Sequence, residues 1–285
     1  VSAFDPEVAP GSVVLPALAC PVCGDSLAPD ALPRPTVLRC PLGHSADVAR
    51  QGYVSLLRGR HATSGDTAAM VQARSELLAT GHFGAIQAAV AEAVPGDARL
   101  VVDLGCGTGA YLAAVLDARP GASGLGLDLS AAAARRAARA HPRAAIATAD
   151  LWQPLPLADA GADALLTVFA PRNAPEMLRV LRPGGVAVVV TPRERHLHEI
   201  RTELGMLGID AGKAERLDEQ LAEFSLAARR ELDYGVLMTR DELRAEVLMG
   251  PSAHHVDAAA LEGALAGHGA ETAVTVAVTV SVFTR

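Results

Sequence analysis

Two groups of residues have the types and spacing for chemistry. The first is Cys20-Pro21-Val22-Cys23-Gly24, followed after sixteen residues by Cys40-Pro41-Leu42-Gly43-His44. A Cys-x2-Cys turn closed by glycine aims two thiolates at one point, and the Cys-x3-His pair adds two more donors. Cys20, Cys23, Cys40 and His44 therefore make a tetrahedral Cys3His set suited to zinc. No coordination position is left open, so the site is expected to be structural. The fourth cysteine, Cys106, stands apart. Disulfides are not expected in a cytosolic chain.

The second group is Val101-Val102-Asp103-Leu104-Gly105-Cys106-Gly107-Thr108-Gly109. An apolar run carrying an acid leads into three glycines at alternate positions. This reads as a buried parallel strand leaving its sheet through a turn too tight for side chains, where a ligand can touch the backbone. The spacing is G-x-G-x-G rather than the G-x-G-x-x-G of dinucleotide folds. With Asp103 inside the strand end, it suits a nucleoside carrying a cationic amino-acid tail, as in S-adenosylmethionine (SAM). Gly105, Gly107 and Gly109 would form the turn. Asp128, at the tip of the next strand, is placed to accept both ribose hydroxyls, and Asp150 to take the adenine amino group. Arg172 and Asn173 follow the fourth strand, at the sheet edge where reactants sit. A plain turn into a helix is an equal reading of that pair.

These groups need elements to position them. From residue 96 onward, strand and helix patterns alternate, as in a parallel sheet covered on both faces. Strands are expected at Leu100–Leu104, Ser123–Leu127, Ala144–Thr148, Leu165–Phe169 and Val186–Val190. Helices are expected at Ala110–Ala118, Ala131–Ala140 and Pro175–Leu181. A further helix is expected to open at Thr191, and the charged stretch Lys213–Ala228 to be helical. Arg230–Thr239 and Thr272–Phe283 read as a strand pair closing a five-stranded parallel sheet, with a helix over Asp241–Met249 between them. Upstream, helices are expected at Thr67–Ala79, with Asp66 at its start, and at Phe83–Ala93.

The fold class is therefore α/β: a Rossmann-like class I SAM-methyltransferase domain with a small N-terminal zinc ribbon. The expected organisation is a flexible arm (1–17), a zinc ribbon (18–60), a helical linker (61–95) and the methyltransferase domain (96–285). Asp47-Val48-Ala49-Arg50-Gln51-Gly52-Tyr53-Val54-Ser55-Leu56-Leu57 is expected to finish the ribbon as a strand and turn.

The 285 residues carry a formal charge of −7. That argues against a surface coated with nucleic-acid-binding charge, though not against a local basic face. Arg34, Arg39, Arg50, Arg58 and Arg60 cluster in the ribbon region. They form either an RNA-facing surface or a solvated face offset by Asp25, Asp30 and Asp47. No run of 18 apolar residues suggests a membrane span. No basic n-region precedes an apolar stretch in 1–16, so a cytoplasmic location is expected.

The chain resembles the 23S rRNA guanine-N1 methyltransferases, including the tylosin-type macrolide-resistance members. The resemblance is carried by the Cys3His set together with Gly52-Tyr53-Val54-x-Leu56-Leu57, Gly65-Asp66-x3-Met70-x2-Ala73-Arg74 and Gly81-His82-Phe83. It implies that the zinc ribbon (18–60) is an RNA-recognition domain, and it implies methylation of guanine N1 in a loop of 23S rRNA, with the hairpin 35 loop preferred. It also implies a homodimer, and further cofactor contacts from Phe83, Tyr111, Leu112 and His196. Arg172 and Asn173 would then meet the guanine edge and polarise O6. Two other functions stay open on sequence alone. One is a SAM enzyme acting on a small molecule or protein; the other is a non-catalytic nucleic-acid-binding module.

Overall fold

A computed structural model describes residues 13–30, 36–59, 65–209 and 213–285, without the side chains of 213–215, 251 and 254. The helices are α1 (Val14–Ala17), α2 (Ala68–Ala79), α3 (Gly84–Ala93), α4 (Ala110–Ala118), α5 (Ala131–Ala137), α6 (Ala174–Val180), α7 (His198–Arg201), α8 (Lys213–Gln220), α9 (Arg240–Met249) and α10 (Ala258–Gly267). The strands are β1 (Ala28–Pro29), β2 (Val37–Arg39), β3 (Ser45–Asp47), β4 (Tyr53–Ser55), β5 (Leu100–Leu104), β6 (Ser123–Asp128), β7 (Ala144–Thr148), β8 (Ala162–Val168), β9 (Leu181–Pro192), β10 (Ser225–Thr239) and β11 (Glu271–Thr284).

Among the described residues these strands form two sheets. The ribbon is a three-stranded antiparallel sheet, β1-β2-β3, and the main sheet has eight strands in the order β10-β11-β9-β8-β5-β6-β7-β4. From β9 to β4 the strands run parallel; β11 and β10 are antiparallel. Every residue of β5 is buried, as expected for a central parallel strand covered on both faces. The chain order reverses between β5 and β8, so their carboxyl ends flank the crevice where open α/β sheets bind ligands.

Three expectations change. First, the turn after Asp47 is present and Val54 bridges back to Val48, but Tyr53–Ser55 is not a strand of the ribbon sheet. It pairs in parallel with β7, Tyr53 opposite Ile146 and Ser55 opposite Thr148, and adds a sixth parallel strand to the expected five. Its alternating pattern specifies a strand but not a partner. Burial of Val54 and Leu56 with Ala145 and Ala147 of β7 selects the main sheet. Second, the described part of the arm is not loose. Val14 and Ala17 are buried, and the carbonyl of Ala17 accepts from Ala158 N–H at 2.9 Å. Residues 1–12 lie outside the described residues. Third, β9 runs on to Pro192 and β10 starts at Ser225, so the helices expected around them shrink to α7 and α8.

The ribbon is not a separate body. Leu27, Leu38, Cys40 and Ala46 share one apolar cluster with Leu125, Leu127 and Leu165 of the main sheet. Helix α2 is capped by Thr67, whose side chain accepts from Met70 N–H at 3.3 Å, rather than by Asp66.

Candidate active site and metal centre

The ligand atoms of Cys20, Cys23, Cys40 and His44 all lie within 4.8 Å of one another. Cys23 and Cys40 Sγ are 3.6 Å apart, and Cys40 Sγ is 3.4 Å from His44 Nδ1. A zinc tetrahedron with bonds of about 2.3 Å has edges of about 3.8 Å, so the set fits zinc. Gly24 and Gly43, at φ +80° and +86°, let each turn fold back on its own cysteine carbonyl. Val22 N–H faces Cys20 Sγ at 3.4 Å, the polarity a thiolate requires. Arg58 donates to the Pro21 carbonyl at 2.6 Å and ties one turn to the segment after β4. Arg39, Arg50 and Arg58 are exposed, while Arg34 and Arg60 lie outside the described residues.

The second centre lies at the end of β5. Gly105, Gly107 and Gly109 have φ of +80°, +53° and +79°, a left-handed run that suits glycine alone. Asp128 ends β6 beside them. Its Oδ2 accepts from Gly107 N–H and its Oδ1 from Ser130 N–H, both at 2.8 Å. Asp103 is 2% exposed; burial and the nearby Asp128 charge push its carboxyl up to about 8. A cationic group brought into the turn would relieve that cost. Asp150, just past β7, accepts from Trp152 N–H at 3.0 Å.

The Gly65–Arg74 stretch wraps this turn. A Cβ at Gly65 would lie 2.8 Å from the Ser130 backbone, and Ser130 Oγ donates to the Asp66 carbonyl at 2.6 Å. Arg74 donates to Asp66 and to the Met249 carbonyl at the end of α9, and its guanidinium borders Gly107. Glu246, one turn earlier on α9, is 5% exposed with an unpartnered Oε2; burial raises its carboxyl to about 7. Tyr111 lies among these groups, its phenol pushed up by burial and by the Glu246 charge.

The other expected site residues have the following surroundings. Leu112 buries its side chain against Gly124 of β6. Phe83 is buried in the apolar cluster with Leu77 and Ile86. His196 lies beyond β9, where its Nδ1 accepts from Ala277 N–H at 3.2 Å. Arg172 Nε donates to Gln220 Oε1 at 3.0 Å, and Asn173 Nδ2 donates to the Leu151 carbonyl at 3.0 Å. This pair clamps α8 and the loop after β7 to the end of β8. Arg74 lies in the Gly65–Arg74 motif, which by itself assigns it no role, and Glu246 gives no signal, because a glutamate in a charged helix looks like a solvated one.

A glycine turn with a buried acid, a second acid at the next strand tip and a Cys3His ribbon define a SAM-dependent methyltransferase with a structural zinc site. Residues 101–185 match the family described as methyltransferase domain, and residues 18–64 match the zinc ribbon described as RlmA, N-terminal. The chain is 49% identical over 284 residues to a Micromonospora griseorubida protein assigned as a 23S rRNA (guanine-N(1)-)-methyltransferase, covering 93% of this chain and 96% of that one. It is 44% identical over 250 residues to the 23S rRNA (guanine(748)-N(1))-methyltransferase of Streptomyces fradiae, covering 84% and 86%. The chain belongs to the 23S rRNA (guanine-N1)-methyltransferase family. In fold it is similar to the methyltransferase bound to the Haloferax volcanii Trm112 activator, with a TM-score of 0.53 and 21% identity over 78% of this chain and 99% of that one.

Proposed function

We propose that this protein methylates N1 of a loop guanine in 23S rRNA, at the position equivalent to guanine 748, with SAM as donor and zinc as a structural ion. The observation that carries this reading is that an RlmA-type zinc ribbon over 18–64 and a methyltransferase domain over 101–185 stand in one chain, and that likeness to the Streptomyces fradiae enzyme covers 84% of it. The packing agrees with it, because ribbon and sheet share one apolar cluster and can present RNA and cofactor as one rigid surface. The working division is a ribbon over 18–60 for RNA recognition, helices over 61–95, and the methyltransferase domain over 96–285.

Bound SAM supplies an electrophilic methyl group on a sulfonium. Asp103 would hold the cationic amino-acid tail, Arg74 its carboxylate, Asp128 the ribose hydroxyls and Asp150 the adenine amino group. Gly105, Gly107 and Gly109 admit the cofactor against the backbone, and Tyr111 and Leu112 support that turn. Phe83 and His196 act through packing around it. Guanine N1 lies on the pairing edge and carries a proton, so the base must be unpaired or extruded. With a sulfonium leaving group, positioning supplies much of the acceleration. Arg172 and Asn173 clamp the walls of the guanine entrance and would from there polarise O6.

Primer extension on 23S rRNA from cells with and without the protein tests this reading. N1 methylation blocks pairing, so a new stop is expected at the guanine 748 equivalent, and absence of any new stop in the large-subunit rRNA sinks it. Macrolide tolerance that tracks this stop would make resistance the physiological role. A homodimer is supported by the family resemblance and by the long, mostly exposed edge strand β10; sedimentation velocity reads it directly. Among the described residues no helix is long and apolar enough to cross a membrane, which agrees with action in the cytoplasm on ribosomal RNA.

A further inference from the structure

Phe169 follows the last residue of β8 and precedes the Ala170-Pro171-Arg172-Asn173 clamp. Its backbone is left-handed, at φ +53°, a conformation that bulky side chains avoid and that concentrates at functional sites. It is held there by its N–H, which donates to the Val190 carbonyl at 3.2 Å. Thr167 and Val168 before it are buried, yet Phe169 is 44% exposed. The backbone kink turns a large apolar ring out of the sheet at the carboxyl edge.

That ring is backed on one side. Phe169 stacks on His196 with centroids 6.0 Å apart and planes 19° from parallel. His196 is 9% exposed and is followed by Leu197, which also has a left-handed backbone, at φ +55°. Two of the three described non-glycine residues with positive φ thus hold one aromatic pair. The residue after Phe169 borders the cofactor turn: a Cβ on Gly105 would lie 2.7 Å from the Cβ of Ala170. Among the described residues the exposed aromatics are Phe169 and Trp152, and Phe169 alone has a second ring behind it.

We propose that Phe169 is the platform on which the extruded guanine stacks, with His196 as the backing ring. The chemistry requires such a surface. Once the N1 proton has passed to solvent, the electron pair it leaves, which attacks the methyl group as the sulfonium departs, lies in the plane of the base, so the base must be gripped by its face while its edge points at the methyl group. A phenyl ring has no donor or acceptor and competes for no position on that edge. Stacking on exposed aromatic rings is a general means of holding unpaired bases. This inference rests on the rRNA reading above.

The test measures methylation of deproteinised 23S rRNA and SAM affinity by calorimetry for wild type, Phe169→Ala, Phe169→Leu and Phe169→Trp. Alanine and leucine are expected to lower kcat/KM for rRNA by about 5- to 150-fold, the range of one lost stacking contact. Tryptophan is expected to restore most of the rate, and all four proteins to bind SAM equally. A synthetic hairpin with 2-aminopurine at the target position adds an optical readout, and its fluorescence should be quenched by wild type and Phe169→Trp but not by Phe169→Leu. A wild-type rate for Phe169→Leu would overturn the inference alone. So would a loss of SAM affinity matching the loss of rate, because the ring would then be a cofactor wall. So would a rate loss found in Trp152→Ala and not in Phe169→Ala. No methylation by wild type would overturn the rRNA reading, and this inference with it.

Discussion

The guanidinium of Arg74 closes over Gly107: its Nη1 lies 3.3 Å from where a Cβ on that glycine would sit. The contact joins α2 to the glycine turn, and through the Met249 carbonyl it joins both to α9. Gly107→Ala would push against Arg74 and against a φ of +53°. A left-handed alanine costs about 1 kcal/mol or more, so SAM affinity should fall by roughly tenfold. Arg74→Ala removes a charged donor and should weaken SAM by about 10- to 100-fold. Calorimetric titration checks both, and wild-type affinity in either would remove Arg74 from the site.

Asp103 should make SAM binding pH-dependent. Burial and the Asp128 charge push its carboxyl up to about 8 in the ligand-free protein. A cationic tail binds the ionised carboxylate, so below that pH binding must first displace a proton. Affinity should rise as pH is raised toward about 8. Asp103→Asn should bind weakly with no such rise, and an identical slope in the variant would exclude Asp103 as the source.

Glu246 should limit the stability of the ligand-free protein. Burial raises its carboxyl from 4.5 to about 7, so the folded state binds its proton more tightly than the unfolded chain does. Stability attributable to this group therefore declines as pH rises between those two values. At about 1.4 kcal/mol per unit, the ionised group costs on the order of 3 kcal/mol. Glu246→Gln should melt higher than wild type above neutral pH, and the two curves should converge below the ordinary carboxylate range. Parallel melting curves at every pH would contradict this.

Zinc should stabilise the whole chain and not the ribbon alone. Cys40 and Leu38 sit in the same apolar cluster as Leu125 and Leu165. Removing the ion frees thiolates at the edge of that cluster, so chelation or Cys40→Ser should lower the temperature of a single unfolding transition. Metal analysis should give about one zinc per chain for a Cys3His set. A separate methyltransferase transition left in place by chelation would show the ribbon to be independent.

The parts legible in the sequence are those encoded within a turn or along one strand. Cys20, Cys23, Cys40 and His44 are set by two short loops with glycines behind them. The order Asp103, Gly105, Gly107, Gly109 needs only a strand end and positive φ. β5, α4 and β7 fall at the residues expected because their apolar periods are complete within each segment. Tertiary structure decided whatever depends on a partner far along the chain. Tyr53 pairs with Ile146, Arg74 meets Gly107 and the end of α9, and Phe169 finds His196. Alternation says that Tyr53–Ser55 is a strand, but burial of its inward side chains picks the sheet it joins. Composition says that Glu246 belongs to a charged helix, and only the packing of α9 on α2 removes it from water. Local steric rules can be read residue by residue, whereas burial is a property of the assembled fold.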